Sequence, residues 1–395
     1  VLFIRRFLLF FIQFFRPLKL VFMQYPFIYP RGIIHSIESY LKKLNKKTEW
    51  YHLRGGIWFE KRYESEMQKN LLPQNFDDND VSKFRQNRVV KTHESFLVRL
   101  NKVFVFGDSG IVFTEKNEIF SQLVHNFDIS PLKKSYIFKP FYSFSFSIEK
   151  NNKMAALLCS PQCTNYYHWL FDVVPRIALL DDCLDAIEFF IVPASITTTQ
   201  VNMLAALGIE QERLYKIEPN KKVWFQNLYI PSLPGSEGLV PKWSINFIRN
   251  SFIKNTTTNV KKNIYFTRKD VANRKIINED KVIELLKKNG FEIITMSTLS
   301  FLEQVDICAQ AATIISYHGA ALSNIVFASN CKIVEIFSPD YFRTDCYYTL
   351  ANQLGFKYWY IVGENKTIGE NKLGWGDITI EIKQLEQTLL KVLEN

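Results

Sequence analysis

His168 and Asp172 stand four residues apart in the string Asn165-Tyr166-Tyr167-His168-Trp169-Leu170-Phe171-Asp172-Val173-Val174-Pro175-Arg176. At helical spacing they share one face with Arg176, four residues further on, and Pro175 is expected to bend or end the helix locally. An imidazole beside a carboxylate is the arrangement that takes a proton from a hydroxyl near neutral pH. The same spacing also fits a surface His–Asp contact, with the arginine reaching the next turn. The surrounding Trp169, Phe171 and valines point to partial burial.

A second set lies in residues 311 to 330. A β-branched run, Thr313-Ile314-Ile315, breaks at Tyr317-His318-Gly319-Ala320-Ala321, and a short apolar helix is expected from near Leu322. A strand that ends in small residues and opens a helix receives phosphate well, because backbone N–H groups converge there and the helix dipole favours an anion. Gly319 permits close approach, Ala320 and Ala321 keep the mouth open, and His318 stands at the rim. The following strand, Lys332 to Phe337, carries Glu335. In nucleotide-binding α/β units an acidic residue about 20 positions on accepts hydrogen bonds from ribose hydroxyls. Together these features predict a nucleotide-linked substrate. An ordinary turn with a satisfied histidine and a glutamate facing water is the plainer alternative.

The third set follows a strand end at Tyr265-Phe266-Thr267-Arg268-Lys269-Asp270, with Arg274 and Lys275 close behind. Arginine at such a position can neutralise charge on a departing diphosphate. A solvated basic loop is the other reading.

The elements that must position these residues alternate in α/β fashion. Strands are predicted at 155–159, 189–192 and 223–230, with helices at 167–180 and up to Gly208. A second alternating run places strands at 264–266, 291–294 and 332–337. Its helices fall at 279–289, with Asn278 as N-cap, at 300–311, opened by the Ser300-x-x-Glu303 capping box, and at 379–393. Residues 255–263 (NTTTNVKKN) are the expected hinge, and 40–80 read as a polar linker or surface excursion. Strands flank Gly107-Asp108-Ser109-Gly110, so that string is a hairpin turn rather than a protease nucleophile site. Asp78-Asn79-Asp80 looks like a metal-holding Asp-x-Asp pair, but no apolar strand precedes it and a solvated loop fits better. The expected division is an N-terminal extension over 1–80, one α/β domain over 81–258 and a second over 259–395.

At 395 residues and 47% hydrophobic, the chain can bury sizeable cores and is not a disordered protein. Its net charge of +10 is spread over lysine pairs without a basic arm or nucleic-acid motif, which suits anionic small molecules or an anionic membrane surface and not DNA. Six cysteines in mostly apolar segments, without zinc spacing, read as buried free thiols in a reducing compartment. Residues 1–22 (VLFIRRFLLFFIQFFRPLKLVF) hold an apolar stretch too short to span a bilayer, bounded by arginines. They fit a helix lying in the membrane interface, or one docked on the protein's own surface.

Three strings, NYYHWLFDVVPR, IYFTRKDVANRKIINE and YHGAALSNIVFASNCKIVEIF, occur in order and resemble the family-61 glycosyltransferases over about residues 95 to 365. The resemblance implies a GT-B architecture: two Rossmann-like domains facing across a cleft, nucleotide sugar on the second and acceptor on the first. It also implies inversion at the anomeric carbon. Matched residue by residue, His318, Gly319, Ala320 and Asn324 fall in the donor loop, and Glu335 on the nucleotide-contacting acid. Arg268, with Arg274 nearby, matches the diphosphate arginine. His168 and Asp172 match the acceptor-side motif that supplies the base, flanked by Asn165 and Arg176, and which of the two is the base stays open. Ala321 stands where the family often has glycine, and Asn330-Cys331 replaces its usual Pro-Gly turn.

The expected protein is therefore an inverting transferase that moves a sugar, UDP-linked by preference, to a glycan or lipid-linked glycan in surface or capsular polysaccharide synthesis. No metal or other cofactor is expected, since arginines and a helix dipole can meet the leaving charge. The free thiols and the lack of a secretory anchor predict a cytoplasmic enzyme at the inner membrane face, with residues 1–22 as its membrane contact. A non-catalytic glycan- or nucleotide-binding protein of the same fold is the rival reading.

Overall fold

The computed structural model describes residues 32–44, 56–75, 77, 80–123, 149–235, 238–253, 261–365 and 376–394. The apolar segment 1–22, Asp78-Asn79 and most of the expected hinge lie outside these residues.

The C-terminal half is built on a five-stranded parallel sheet. In chain order its strands are Lys262–Phe266, Phe291–Ile294, Ala311–Tyr317, Lys332–Phe337 and Lys357–Val362, and in space they run second, first, third, fourth, fifth. Helices Glu279–Lys288, Phe301–Ala309 and Tyr347–Gln353, with the 3-10 helix Ala320–Phe327, make the crossovers, and helix Ile382–Glu394 closes the chain. Strands Ala311–Tyr317, Lys332–Phe337 and Lys357–Val362 are buried on both faces over most of their length, as a doubly covered parallel sheet requires. The strand order reverses between the first and third strands, and a crevice opens at such a switch point beyond their carboxyl ends. Thr267-Arg268 and His318-Gly319 leave the sheet on its two sides. Ser300 and Glu303 form the expected capping box. Asn278 instead turns its side chain to the backbone of Ile380, accepting from its N–H at 3.0 Å and donating to its carbonyl at 2.8 Å.

The N-terminal half is a nine-stranded mixed sheet. Strands Lys222–Pro231, Glu149–Leu157, Phe189–Pro193 and Leu214–Ile217 run parallel to one another. Strand Ser95–Phe106 joins them antiparallel and carries the rest of the sheet, with Gly107–Gly110 as the hairpin turn into Ile111–Thr114.

The helical path predicted over 167–180 is present but changes pitch twice. One α-turn at Tyr166–His168 is followed by a π-turn over Trp169–Val173 and a 3-10 stretch over Val174–Ala186. Pro175 has no N–H to return to residue 171, so the α-ladder cannot continue through it. The pitch change carries Arg176 off the face it was expected to share with His168. It is buried instead, donating to the carbonyls of Cys159 (2.9 Å) and Pro231 (2.8 and 3.1 Å) and so tying together the ends of two parallel strands.

Residues 40–80 are not a simple linker. Trp58–Tyr63 pairs antiparallel with Ser95–Phe106, and the chain then crosses to the other half. There Gln74 N–H donates to Tyr358 O (2.8 Å), Asn75 brackets the backbone of Tyr360, and Asp80 accepts from the Tyr360 hydroxyl (2.6 Å). This strap covers the outer edge of strand Lys357–Val362. One hydrophobic cluster also runs through both halves, joining Trp169, Phe171 and Val174 to Phe266, Leu322 and Tyr347. Among the described residues, no helix is long and apolar enough to cross a membrane.

Removal of the Arg176 staple tests its structural role. Arg176→Met strands two buried carbonyls and is expected to lower unfolding free energy by about 1.5–3 kcal/mol, read from the urea midpoint. An unchanged midpoint would return Arg176 to the list of ligand-binding candidates.

Candidate active site

On the first side of the switch point, the geometry starts with a buried carboxylate. Glu279, at the first turn of its helix, accepts from the Tyr265 hydroxyl (2.8 Å), the Thr267 hydroxyl (2.8 Å) and the backbone N–H of Arg268 (3.1 Å). It therefore fixes the carboxyl end of strand Lys262–Phe266 and the departure of Arg268. The Arg268 guanidinium donates to the carbonyls of Arg274 (3.1 Å) and Asn273 (3.3 Å) and lies over the Tyr317 ring at 5.7 Å. Burial, with the charge of Arg274 beside it, pulls Arg268 below its ordinary range, and an arginine so lowered remains a cation. Arg274, held at φ +58°, places its own guanidinium 4.8 Å from the Tyr341 ring.

On the other side, Gly319 has extended backbone, so its lack of a side chain matters for space and not for conformation. A Cβ there would lie 2.5 Å from Arg268 Nη1. The arginine head thus rests against bare backbone at the start of the 3-10 helix Ala320–Phe327. The first N–H groups of that helix have no intrahelical acceptor, which leaves them free for an anion.

His318 is 5% exposed and its Nδ1 lies 2.5 Å from Glu335 Oε1. Phe337 stacks on the imidazole, while Tyr341 and Tyr347 pack against it at 5.4 and 5.2 Å. Nε2, on the far side of the ring, has no hydrogen bond to the described residues. Glu335 is fully buried, and its second oxygen accepts from the Tyr358 hydroxyl at 2.6 Å. Burial pushes its carboxyl above the usual range, while His318 and Tyr358 pull it back. The expected bond from Glu335 to ribose hydroxyls is therefore corrected: both oxygens already have partners inside the core.

In the N-terminal half, Asn165 caps the helix start by accepting from the Tyr167 N–H at 2.9 Å. The helix then sets His168 Nδ1 2.7 Å from Asp172 Oδ2, with side chains 16% and 11% exposed. The imidazole is thus the more open member of the pair. The two helix starts meet directly, since the Tyr166 hydroxyl donates to Asn324 Oδ1 at 2.7 Å. Asn324 is fully buried and donates to Gln304 Oε1 and Ala321 O, so it ties the halves together and is not open to a donor ligand. Tyr167 contacts both His168 and Tyr347, and Tyr347 contacts His318, so two rings separate the two histidine–carboxylate pairs.

Arg268, Arg274, His318, Gly319 and Ala320 therefore gather at one switch point, and His168 and Asp172 lie in the other half, linked to it through the rings of Tyr167 and Tyr347. Arg176, Asn324 and Glu335 are held in internal bonds, and Asn165 has a capping role. Sequence reasoning missed Glu279, Tyr358 and the tyrosines of the joint. Glu279 is marked only as the first residue of a predicted helix, and Tyr358 gives no signal, because its bond to Glu335 depends on strand register. Among the described residues no three His, Cys, Asp or Glu side chains come together as metal ligands.

The fold is α/β, with Arg268, Arg274 and a helix start at the switch point of its second sheet and an imidazole–carboxylate pair in the other half. The family model for Glycosyltransferase 61 matches residues 166–334, from the Asn165-capped helix to the strand of Glu335. Over this segment the chain is similar to glycosyltransferase family 61, and the protein is a glycosyltransferase. No curated protein matches the chain at significant similarity.

The contact between Gly319 and Arg268 yields a direct test. Gly319→Ala puts a methyl group where the guanidinium sits, and the flexible arginine can move away. Folding stability should change by less than about 0.5 kcal/mol, while affinity for UDP as an anionic probe falls about tenfold or more. Unaltered UDP affinity in calorimetry would remove Arg268 from the cradle.

Proposed function

We propose that the enzyme moves a sugar from a nucleoside diphosphate donor, UDP-linked, to a glycan or lipid-linked glycan acceptor, with inversion, in surface or capsular polysaccharide synthesis. The observation that carries this reading is the convergence of Arg268, Arg274 and a helix start at the switch point of the second sheet, across a tyrosine joint from His168 and Asp172. On this reading the halves form a GT-B pair, with the acceptor on the domain of residues 81–258 and the donor on that of 259–395.

Inversion requires the acceptor hydroxyl to attack the anomeric carbon from the side opposite the nucleotide. One half must then take the hydroxyl proton while the other stabilises the diphosphate leaving group. In the proposed mechanism His168, oriented through Nδ1 by Asp172, takes the proton; it is the more exposed member of the pair. The carboxylate stabilises the imidazolium that results. Arg268, Arg274 and the N–H groups at Ala320-Ala321 meet the charge that develops on the diphosphate. No metal is needed for that charge, and the acceptor reaches the enzyme at the inner face of a membrane through residues 1–22.

Asp172→Asn and His168→Gln are expected to lower turnover by about a hundredfold or more while UDP affinity stays at the wild-type level. Wild-type turnover in either variant would move the base elsewhere. Screening radiolabelled UDP-, GDP- and CMP-sugars for hydrolysis or transfer identifies the donor, with UDP-sugars expected to react. Activity should also persist in excess EDTA; complete loss with rescue by manganese would contradict a metal-free leaving-group site.

A further inference from the structure

Anion binding alone does not explain the buried chain behind Gly319. Tyr358, Glu335 and His318 come from three adjacent parallel strands or their ends, and strand register puts all three on one face: Ile333 pairs with Tyr358, and Ser316 with Glu335. The imidazole cannot turn freely, since Phe337 stacks on it and Tyr341 and Tyr347 close on its edges. One hydrogen occupies the short Nδ1–Oε1 contact. The number of protons in the pair therefore decides what Nε2 presents. With two protons the pair is neutral overall and Nε2 carries an N–H donor. With one it is an anion and Nε2 offers a lone pair, which repels phosphate.

We propose that Tyr358 and Glu335 are positioning residues that aim His318 Nε2 at the bound diphosphate, and that the His318–Glu335 pair takes up one proton when the diphosphate binds. The proposal rests on the reading of the switch point as a nucleoside diphosphate site. The incoming proton ends on Nε2 and is donated to a phosphate oxygen, while the other stays between Nδ1 and Oε1. Burial raises the Glu335 carboxyl above its ordinary range, while the bonds to His318 and Tyr358 pull it back. The other groups facing the pair are Tyr341 and Tyr347 against the ring, Asp345, whose charge acts on Glu335, and the Cys346 thiol, which burial, Asp345 and Glu335 push up. Asp345 is itself bonded to Arg343. Arg268 lies against the neighbouring Gly319, and Arg274 over Tyr341.

Two conservative variants must shift the titration in opposite directions. Tyr358→Phe removes a donor from the carboxylate, so the pair keeps its second proton to higher pH. Glu335→Gln removes the negative charge that holds the imidazolium, so the proton is lost at lower pH. A merely structural role would move both variants the same way or neither.

The experiment uses the full chain and UDP as the probe, between about pH 7 and 9, where the phosphates of UDP are already ionised. Calorimetry in buffers of different ionisation enthalpy counts protons, and 15N spectra of the histidines follow His318 in the unliganded protein. The expected result is uptake approaching one proton per UDP, with affinity falling about tenfold per pH unit above the midpoint. The midpoint should move up in Tyr358→Phe and down in Glu335→Gln, each by about one pH unit. UDP binding without proton uptake, or shifts of the same sign, would overturn the proposal while leaving the diphosphate site standing. Failure of UDP, GDP and pyrophosphate to bind at all would overturn the diphosphate reading, and this proposal with it.

Discussion

A carboxylate occupies a core position in the second sheet, and the site is arranged around it. Glu335 has no solvent exposure and sits in a strand whose other residues, from Ile333 to Phe337, are buried hydrophobics. A buried carboxylate without partners would be disfavoured by several kcal/mol, so both oxygens must be satisfied from within. Tyr358 satisfies one and His318 the other. That requirement holds His318 at the carboxyl end of its strand, immediately before the bare backbone of Gly319. A second buried carboxylate, Glu279, does the same for the opposite side of the switch point by gathering Tyr265, Thr267 and the Arg268 backbone. The exposed chemistry of the site thus hangs on two acids that never face solvent.

The joint between the halves is the second constraint. Tyr166 and Asn324 bond across it, and Arg249 of helix Lys242–Phe252 donates to the carbonyls of Val326 and Ala328. The strap over residues 67–88 adds further bonds, including Gln68 to Thr349 O and Asn87 to Thr344. Together with the shared hydrophobic cluster, these contacts hold the two histidine–carboxylate pairs in a fixed relation, separated by Tyr167 and Tyr347.

Much of this was legible in the sequence, for physical reasons that differ by element. The parallel strands announce themselves as short apolar runs between turn residues, and the Ser300–Glu303 capping box is a local signal that the fold preserves. The His168–Asp172 contact follows from spacing within one turn. What failed were inferences that needed tertiary knowledge. Arg176 was placed by extending an ideal helix through Pro175, and the pitch change removed it. Glu335 was placed facing a ligand, because alternation cannot tell which face of a doubly covered strand is closed by a neighbour. The strap was read as a linker because its polar side chains bond to backbone groups far away in sequence and bury little apolar surface of their own.

The most direct measurement is a crystal structure of the protein with UDP bound. The diphosphate should lie between Arg268 and the Ala320 backbone, within hydrogen-bond distance of His318 Nε2, with the uridine toward the second sheet. UDP seated instead in the cleft of about 700 Å³ lined by Lys91, His93, Phe96 and Ser232 of the first half would contradict it.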